Sequence, residues 1–421
     1  MIRVVISVYK VANFTDGGGH FWVYMQYAQG LRRLGYEVYW LEQLRSRRNL
    51  EQNPDQLGIF LERMKRFGLE GKTLLYTIDR SREGSAAPVR FIGRTWSEAK
   101  AVLGHADLLL NFHYAIDPRL LACARRTALV DIDPGLLQFW IMSGQLAVAP
   151  HDCYLTTSET VGTKAARFSD CGLRWIHIRP PVCLELWPVA RDPRAEAVTT
   201  VSSWASTDWL KVTEGGRTVL RENTKRRAFL QFVELPRHTS QPLELALYLV
   251  DRDPDRARDP QAQTDAADRA RLEQHGWRVR DSREVAGSPE AYRSYVQRSR
   301  GEFSCAKPSY VEFQNAWISD RTLCYLASGK PVVVQHTGPS AFLPNGEGMF
   351  RFTSLAEAAR ALEEINADYE RHCQAARDIA TTHFDSKQVL ERVLNATLGS
   401  GTAIGPVTSG PSARARSGDP G

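Results

Sequence analysis

The chain has 421 residues, of which 43% are hydrophobic and 24% charged, and its net charge is +6. This length exceeds the usual domain size of about 100–200 residues, so we expect two domains. The composition is that of a folded globular protein and excludes collagen-like, repeat and wholly disordered classes. Apolar runs stay well short of the roughly 20 residues of a membrane span, and the first residues do not follow the pattern of a signal peptide. We therefore expect a cytoplasmic protein.

The charged residues and the cysteines exclude two further classes. No basic stripe interleaved with aromatic residues is present in the sequence, so we expect no nucleic-acid partner. The seven cysteines are scattered without a C-x-x-C pair, which predicts free thiols rather than a zinc site or a disulfide framework. Peripheral association with a membrane is not indicated and stays an open alternative.

The first part of the chain has the pattern of an α/β domain. A β-branched run at 3–9 predicts a buried strand, and a glycine loop at 13–20 leads into a helix over 21–34. The next strand is predicted at 36–41, so the glycine loop lies at the carboxyl end of a parallel strand, where doubly wound sheets bind ligands. Further strands are predicted at 73–78, 106–112, 128–132 and 153–157.

A second α/β series follows a proline-rich segment. We predict a first domain over 1–185, a linker over 186–197 and a second domain over 198–398. The series contains predicted strands at 198–204, 243–250, 277–279, 302–306 and 331–335, with helices at 225–235, 289–298, 320–327 and beyond 354. The last helices could equally pack back on the first domain. The tail 399–421, rich in Gly, Ser, Pro and Thr, is expected to be disordered.

The most informative segment runs from Ser319 to Gly338 and reads SDRTLCYLASGKPVVVQHTG. It resembles the donor-site helix and following strand of the two-domain nucleotide-sugar glycosyltransferases with the GT-B fold, and the similarity is nearest to bacterial glycosyltransferase-like proteins. The resemblance implies two tandem Rossmann-like, doubly wound domains that face a cleft. A helix amino terminus there would present free N–H groups and about half a positive charge to a diphosphate.

The resemblance also implies a set of donor-binding residues. The second domain would bind the nucleotide-diphosphate sugar through Ser319, Asp320, Arg321, Thr322, Lys225, Arg226, Lys307, Glu312, His336, Thr337 and Gly338. Arg321 is expected to direct its guanidinium toward the diphosphate. Cys324 occupies the position where many family members carry the Glu that holds the ribose hydroxyls. Asp320 or Glu312 could replace that Glu, although a helix-start charge and a solvated acid explain them equally well.

For catalysis, the resemblance implies a base on the first domain. His20 follows the acceptor-side loop Gly17, Gly18 and Gly19, and its imidazole could accept the acceptor proton at neutral pH. Asp133 or Asp131 would orient the imidazole, and Asp16 is an alternative base. The competing interpretation is that His20 packs at a helix start and that Asp133 belongs to a turn.

A rival signal is Asp251-Arg252-Asp253, which resembles the metal-binding pair of single-domain glycosyltransferases, but its mixed charges and the adjacent proline favour an exposed turn. We therefore predict a glycosyltransferase that needs no metal or other cofactor and acts on a saccharide or small-molecule acceptor. The alternatives are a nucleotide-sugar epimerase of the same fold and a catalytically inactive nucleotide-sugar-binding or partner protein.

Overall fold

The computed structural model describes residues 2–44, 54–78, 87–205, 209–214, 217–253, 256 and 258–399. The expected loop at Gly215 and Gly216 and all but the first residue of the expected tail 399–421 lie outside the described residues. In the described part of the chain no helix is both long and apolar enough to cross a membrane.

The first sheet is formed by the amino-terminal half of the chain, in the order β4-β3-β2-β1-β5-β6-β7-β8. All neighbours are parallel except β3 and β4. The strands are β1 (Arg3–Val8), β2 (Glu37–Gln43), β3 (Thr73–Ile78), β4 (Val89–Phe91), β5 (Leu108–Asn111), β6 (Thr127–Asp131), β7 (Cys153–Thr156) and β8 (Trp175–His177). The helices are α1 (Gly18–Arg33), α2 (Pro54–Arg66), α3 (Trp96–Gly104), α4 (Pro118–Leu121) and α5 (Leu136–Met142).

The second sheet is parallel throughout, in the order β13-β12-β9-β14-β15-β16. Its strands are β9 (Val198–Ser203), β12 (Leu243–Tyr248), β13 (Arg278–Asp281), β14 (Gly301–Ser304), β15 (Val332–Gln335) and β16 (Met349–Phe352). The antiparallel pair β10 (Trp209–Glu214) and β11 (Arg217–Glu222) stands apart from it. The helices are α6 (Lys225–Leu230), α7 (Pro260–Gln274), α8 (Ser282–Ala286), α9 (Pro289–Arg298), α10 (Pro308–Phe313), α11 (Asp320–Ala327), α12 (Leu355–Ala367), α13 (Tyr369–His383) and α14 (Ser386–Leu398).

The predicted helix at 225–235 is shorter in the structure. Helix α6 ends at Leu230, and a separate 3₁₀ turn covers Leu235–His238. The β10–β11 pair was missed because the described side chains of β11 are exposed almost throughout, so the strand shows no alternation of apolar and polar residues. Most central strands of the two sheets are buried, and their continuous apolar runs predicted them, whereas the short strands β4, β8 and β16 were not predicted.

One apolar core continues from the first half of the molecule into the second. The ring of Trp22 on α1 lies 5.1 Å from that of Trp187, which lies 6.1 Å from the ring of Tyr292 on α9. The indole Nε1 of Trp22 also donates a hydrogen bond to the carbonyl of Pro289 at 2.9 Å. These contacts hold α1 against the second half of the molecule.

The last helix lies on the first half of the molecule. A Cβ added at Gly30 of α1 would come 2.4 Å from a methyl carbon of Leu390 on α14. The Arg126 guanidinium donates to the carbonyl of Thr397 at 2.7 Å. The carboxyl-terminal helix therefore joins the two halves a second time, after the linker.

The amino end of α1 approaches the second half so closely that a side chain would not fit. A Cβ at Gly18 would lie 2.3 Å from the carbonyl oxygen of Ser288 and 2.4 Å from that of Ala286. A Cβ at Gly19 would lie 2.8 Å from the Tyr292 ring. Backbone oxygens cannot move aside as a flexible side chain can, so glycine is required at Gly18.

We expect Gly18→Ala to lower the free energy of unfolding by about 1–3 kcal/mol, since its methyl group overpacks this contact. Gly58→Ala is the matched control: Gly58 lies on α2 with no atom within 4 Å of an added Cβ, so that change should stabilise the protein by about 0.5–1 kcal/mol. Urea denaturation of the two variants compares them. If Gly18→Ala were as stable as the wild type, residues 286–288 would have to move aside without any loss in the free energy of unfolding.

Candidate functional site

The candidate site lies where the carboxyl ends of the two parallel sheets face each other. The segments that follow β1 and β6 meet the end of β12 and the segment that follows β14: the Phe14 ring lies 5.5 Å from that of Tyr248, and the Tyr310 hydroxyl donates to Asp133 at 2.8 Å. In doubly wound sheets this edge holds the ligand. Some of the predicted residues of each half line this site, and others lie around it.

On the side of the second sheet, a small cavity lies at the amino end of α11. Ser319 caps this helix by accepting a hydrogen bond from the backbone N–H of Arg321 at 3.3 Å. The cavity has a volume of about 20 Å³, which holds one water molecule. Four of the predicted residues line it: Ser319, Thr322, Thr337 and Gly338.

The loop after β15 is fixed by its own hydrogen bonds. The Thr337 hydroxyl donates to the carbonyl of Trp317 at 2.6 Å. Gly338 has a φ of +140°, and a Cβ there would lie 2.5 Å from the carbonyl oxygen of Gln314. His336 lies beside Arg351 at 2.7 Å, and burial together with this guanidinium lowers the pKa of the imidazole. Arg351, which lines the cavity, was not singled out by the sequence.

The structure shows three hydrogen-bond partners of Arg321. Its Nε donates to the carboxylate of Glu302 at 2.7 Å, and its other nitrogens donate to Ser304 Oγ and to the carbonyl of Val201 at 2.9 Å. Glu302 is fully buried on β14 and Arg321 is only 8% exposed. The guanidinium therefore neutralises a buried carboxylate inside its own half of the molecule, and its contact with a diphosphate stays a prediction.

The two basic residues at the start of α6 point in different directions. Lys225 is buried, donates to the carbonyl of Cys305 and lies 5.3 Å from the centroid of the Trp317 ring. Cys305 and Trp317 both line the cavity, so Lys225 lies next to it. Arg226 forms an ion pair with Asp268 and is turned away from the cavity.

The buried position of Lys225 has a large electrostatic effect. Burial, together with the positive charges of Arg321 and Lys307, lowers the pKa of its ammonium group to about 7. No carboxylate pairs directly with Lys225 among the residues that the structure describes. A bound anion would relieve this repulsion and favour the charged lysine.

Two polar residues next to Lys225 were not predicted. Asn223 Oδ1 accepts a hydrogen bond from the backbone N–H of Ser309 at 2.9 Å, which ties the segment before α6 to α10. Asn223 Nδ2 and Ser309 Oγ are buried and have no hydrogen-bond partner within the described ranges. A buried unsatisfied donor costs about 1–3 kcal/mol, so these atoms are suited to bind a ligand. Their only signal in the sequence is their position beside Lys225 and Lys307.

The remaining predicted acids and Lys307 lie around this cavity rather than in it. Lys307 precedes α10 and is half-buried, close enough to Lys225 to influence its pKa. Glu312 is exposed and lies 3.8 Å from Arg221 on β11. Burial raises the pKa of Asp320 to about 6, against the opposing charge of Arg321. The Sγ of Cys324 lies 3.5 Å from the carbonyl of Asp320, and 3.9 Å from Gln26 Nε2 of α1.

On the side of the first sheet, His20 lies in the first turn of α1. Its Nε2 is 2.7 Å from the carbonyl of Tyr9. A carbonyl only accepts, so Nε2 carries the proton and Nδ1 has the free lone pair. Burial lowers the pKa of the imidazole and outweighs the hydrogen bond to Tyr9, which raises it. His20 is therefore neutral at pH 7 and able to accept a proton.

The expected orienting carboxylates make other contacts. Asp133 accepts hydrogen bonds from the hydroxyls of Tyr310 at 2.8 Å and Tyr114 at 3.3 Å, and acts on His20 only through its charge. Asp131 is buried and accepts from Gln138 and Thr156, and burial raises its pKa to about 7. The Tyr9 carbonyl orients the imidazole instead. Asp16 is exposed.

The glycine loop contacts the second half of the molecule. Gly18 and Gly19 contact Ser288 and Tyr292 of the second half, as described above, and Gly17 packs against the ring of Phe14. The loop therefore joins the two halves of the molecule at the edge of the site. Its absence of side chains permits this contact.

The rival pair of aspartates is held in ion pairs. Asp251 accepts two hydrogen bonds from the buried guanidinium of Arg269, at 2.6 and 3.0 Å. Asp253 lies 3.3 Å from Arg283. In the described part of the chain no group of three His, Cys, Asp or Glu side chains could hold a metal ion.

No family model and no curated protein matches this chain, whereas several solved structures do. An α-glucosyltransferase in complex with UDP and a 13-mer DNA containing a central A:G mismatch aligns with a TM-score of 0.57 at 9% identity, over 94% of this chain and 99% of that chain. HepE of Anabaena in complex with UDP-glucose aligns with a TM-score of 0.55 at 12% identity, over 94% and 99%. Sucrose-phosphate synthase from Thermosynechococcus elongatus gives 0.50 at 13%, over 94% and 100%.

These similarities identify the fold. The chain has the GT-B fold, in which two Rossmann-like domains face a cleft, and the prediction from the Ser319–Gly338 segment is confirmed. We call the half that carries the first sheet the amino-terminal domain and the half that carries the second sheet the donor-side domain.

We expect Arg321→Ala to lower the free energy of unfolding by about 3–5 kcal/mol, because it leaves the buried Glu302 carboxylate without its counter-charge. The double change Arg321→Met with Glu302→Leu removes both charges and should recover most of that loss. Arg227→Ala, at an exposed position on α6, is the control and should have little effect. Denaturant titration measures all three. Unchanged stability of Arg321→Ala together with lost nucleotide binding would restore the original expectation.

Proposed function

We propose that this chain transfers a sugar from a nucleotide-diphosphate sugar to an acceptor hydroxyl, without a metal ion. The observation that carries the proposal is the buried Lys225, whose only hydrogen-bond partner among the described residues is a carbonyl, and which lies at the strand ends of the donor-side domain. Asn223, two residues before Lys225, is hydrogen-bonded to Ser309, and both have buried polar atoms without partners among the described residues. Lys225 contacts Cys305 and Trp317, which line the cavity at the amino end of α11. A diphosphate supplies the charge and the acceptors that this arrangement lacks.

The predicted donor-binding residues fall into two groups, those that would contact the donor and those that stabilise the fold. Lys225 and Lys307 supply positive charge, and the helix amino end capped by Ser319 supplies N–H groups and the helix dipole. Thr322, Thr337 and Gly338 line the same cavity and would contact the donor. Arg226 and Arg321 act within the fold through their ion pairs.

In the transfer step, the acceptor oxygen bonds to the anomeric carbon while the bond from that carbon to the phosphate oxygen breaks. Negative charge grows on the departing diphosphate, and Lys225 and the α11 amino end stabilise it without a metal. The acceptor proton passes to Nδ1 of His20, which is the unprotonated ring nitrogen. A histidine base corresponds to inversion at the anomeric carbon.

The domains must separate to admit the donor. The cavity at α11 has room for about one water molecule, far less than a nucleoside diphosphate occupies. Hydrogen bonds from Tyr310 to Asp133 and from Asn315 to the carbonyl of Pro134 span the cleft beside it. We infer that the structure represents the closed arrangement and that binding begins from a more open one.

Two measurements on the whole protein test the proposal. Uridine, thymidine, guanosine and adenosine diphosphates are screened by thermal shift, where a ligand at 100 times its dissociation constant stabilises by about 2.7 kcal/mol. The glucose ester of the nucleoside diphosphate that binds best is then supplied as the donor, and UDP-glucose is tried first. Release of nucleoside diphosphate is measured with EDTA present. No shift with any nucleotide would refute the proposal.

The same assay separates the alternatives. Binding without release of diphosphate would indicate an inactive nucleotide-sugar-binding protein, and conversion of UDP-glucose to an epimer without transfer would indicate an epimerase. Loss of turnover in EDTA that added Mg²⁺ or Mn²⁺ restores would refute metal independence.

We expect Lys225→Met to weaken UDP-glucose binding about ten- to hundredfold, since a charge-assisted hydrogen bond contributes about 1.5–3 kcal/mol. Wild-type affinity should also fall as the pH rises from 6 to 8.5, because the pKa of Lys225 is about 7 in the free protein and the charged form binds the anion. The charge of the diphosphate ester itself stays constant over this range.

Titration calorimetry at several pH values measures this affinity. Lys225→Met should bind more weakly and with a flatter pH profile, while Arg227→Met, at the exposed neighbouring position, should behave like the wild type. An unchanged pH profile in Lys225→Met would assign the titration to another group.

His20→Ala is expected to leave UDP-glucose affinity unchanged and to slow transfer by about 10²–10⁴-fold, as loss of a general base does. His105→Ala, at an exposed site on the far end of α3, is the matched control. Steady-state rates with the same acceptor compare the two. A His20→Ala enzyme with wild-type rate would indicate either Asp16 as base or a retaining reaction in which the leaving phosphate takes the proton.

A further inference from the structure

A second concave site lies away from the cleft, between the domain linker and α9. We call it the linker groove; it has a volume of about 500 Å³, within the roughly 300–1,000 Å³ usual for small-ligand pockets. Residues 190–194 form one wall. The other wall is α9, through Glu290, Arg293, Ser294, Gln297 and Arg298.

The groove has an excess of positive charge that its own acids do not neutralise. Four arginines and two acids line it. Asp192 is already paired with Arg194 at 3.2 Å, and Glu290 lies 3.9 Å from Arg66 of α2, outside the groove. Arg191 lies 3.2 Å from Glu370, a largely exposed acid whose attraction is screened by solvent.

The two arginines of α9 have only weak partners. Arg293 donates to the carbonyl of Leu186 and Arg298 to that of Ser294, both at 3.3 Å. Within the described ranges neither guanidinium pairs with a carboxylate. Guanidinium groups that lack a counter-ion and line one concavity are suited to bind phosphate oxygens in bidentate geometry.

The groove also bridges two parts of the molecule. Gln297 donates to the carbonyl of Pro188 at 3.3 Å, so the contact between linker and α9 consists of long hydrogen bonds. The first turn of α9 holds α1 through the bond from Trp22 to Pro289. A ligand bound by Arg191 and Arg194 on the linker and by Arg293 and Arg298 on α9 would connect the linker with α9.

We propose that the linker groove binds a small soluble anion that carries phosphate groups. Its concave shape favours a compact ligand over a membrane surface or a nucleic acid, which need a convex or extended basic face. Two guanidiniums on each wall can hold the phosphate groups of one molecule from both sides. This site is independent of the donor cavity, which lies at the strand ends of the second sheet.

The test uses the full-length protein and inorganic pyrophosphate, titrated by calorimetry at constant ionic strength. Pyrophosphate could also enter the donor cavity, so the titration is repeated in Lys225→Met, where we expect groove binding to persist. Arg293→Gln with Arg298→Gln should weaken that binding at least tenfold. Arg271→Gln with Arg360→Gln, two exposed arginines elsewhere on the donor-side domain, is the control and should bind as the wild type does.

A second variant guards against a folding defect in the first. The side chain of Arg194 is 89% exposed, so Arg194→Gln leaves the fold intact and should still weaken pyrophosphate severalfold. Equal affinity in the groove variants and the wild type would overturn the proposal, as would binding that only Lys225→Met abolishes. The groove would be assigned to a membrane instead if the wild type bound no pyrophosphate but sedimented with phosphatidylcholine–phosphatidylglycerol vesicles, and if the groove variants no longer sedimented with them.

Discussion

The arrangement of the two domains depends on the contact between the amino end of α1 and residues 286–292. Gly18 and Gly19 allow this helix end to touch the backbone of the donor-side domain, and Trp22 then fills the shared core next to Trp187 and Tyr292. The opposite side of the cleft is joined by polar contacts, such as that between Tyr310 and Asp133. Polar contacts exchange readily with water, whereas a shared apolar core does not. Opening is therefore expected on the polar side, with the apolar side as the hinge.

The donor-side domain combines a neutralised buried charge with an unneutralised one. Arg321 and Glu302 compensate each other inside the sheet, although the guanidinium still lowers the pKa of Lys225. Lys225 has no such partner in the described part of the chain, and the free protein bears the cost of its burial as a lowered pKa. A site that already has its positive charge and unsatisfied donors in place needs little reorganisation when an anion arrives.

The sequence predicted the fold well because both sheets are built from buried parallel strands. Their continuous apolar runs, such as Leu243–Tyr248, and the glycine turn before Val332–Gln335 are local signals. The β10–β11 pair gave no signal because the described side chains of β11 are exposed almost throughout. Local patterns thus located most of the long buried strands, whereas the exposed β11 and the short strands β4, β8 and β16 were not predicted.

The site was predicted less well, because its geometry depends on partners far apart in the chain. Arg321 reads as a phosphate ligand until Glu302, on a neighbouring strand, is brought beside it. Asp133 follows its strand as an orienting acid would, yet Tyr310, from the other domain, takes its oxygen. Asn223 and Ser309 carry no motif and become conspicuous only because their buried donors are left unsatisfied. Such pairings are fixed by tertiary structure and leave no trace in residue spacing.

The contacts of Asp133 connect domain closure with the proposed base. Tyr114 of the amino-terminal domain and Tyr310 of the donor-side domain both donate to this carboxylate, whose negative charge raises the pKa of His20. When the domains separate, Asp133 loses the Tyr310 hydroxyl, and solvent enters to screen its charge. Closure returns the carboxylate to a water-poor environment in which its charge acts more strongly. The attraction of Asp133 for the imidazolium that forms as His20 takes the acceptor proton is therefore strongest in the closed state, where it opposes the effect of burial on the His20 pKa.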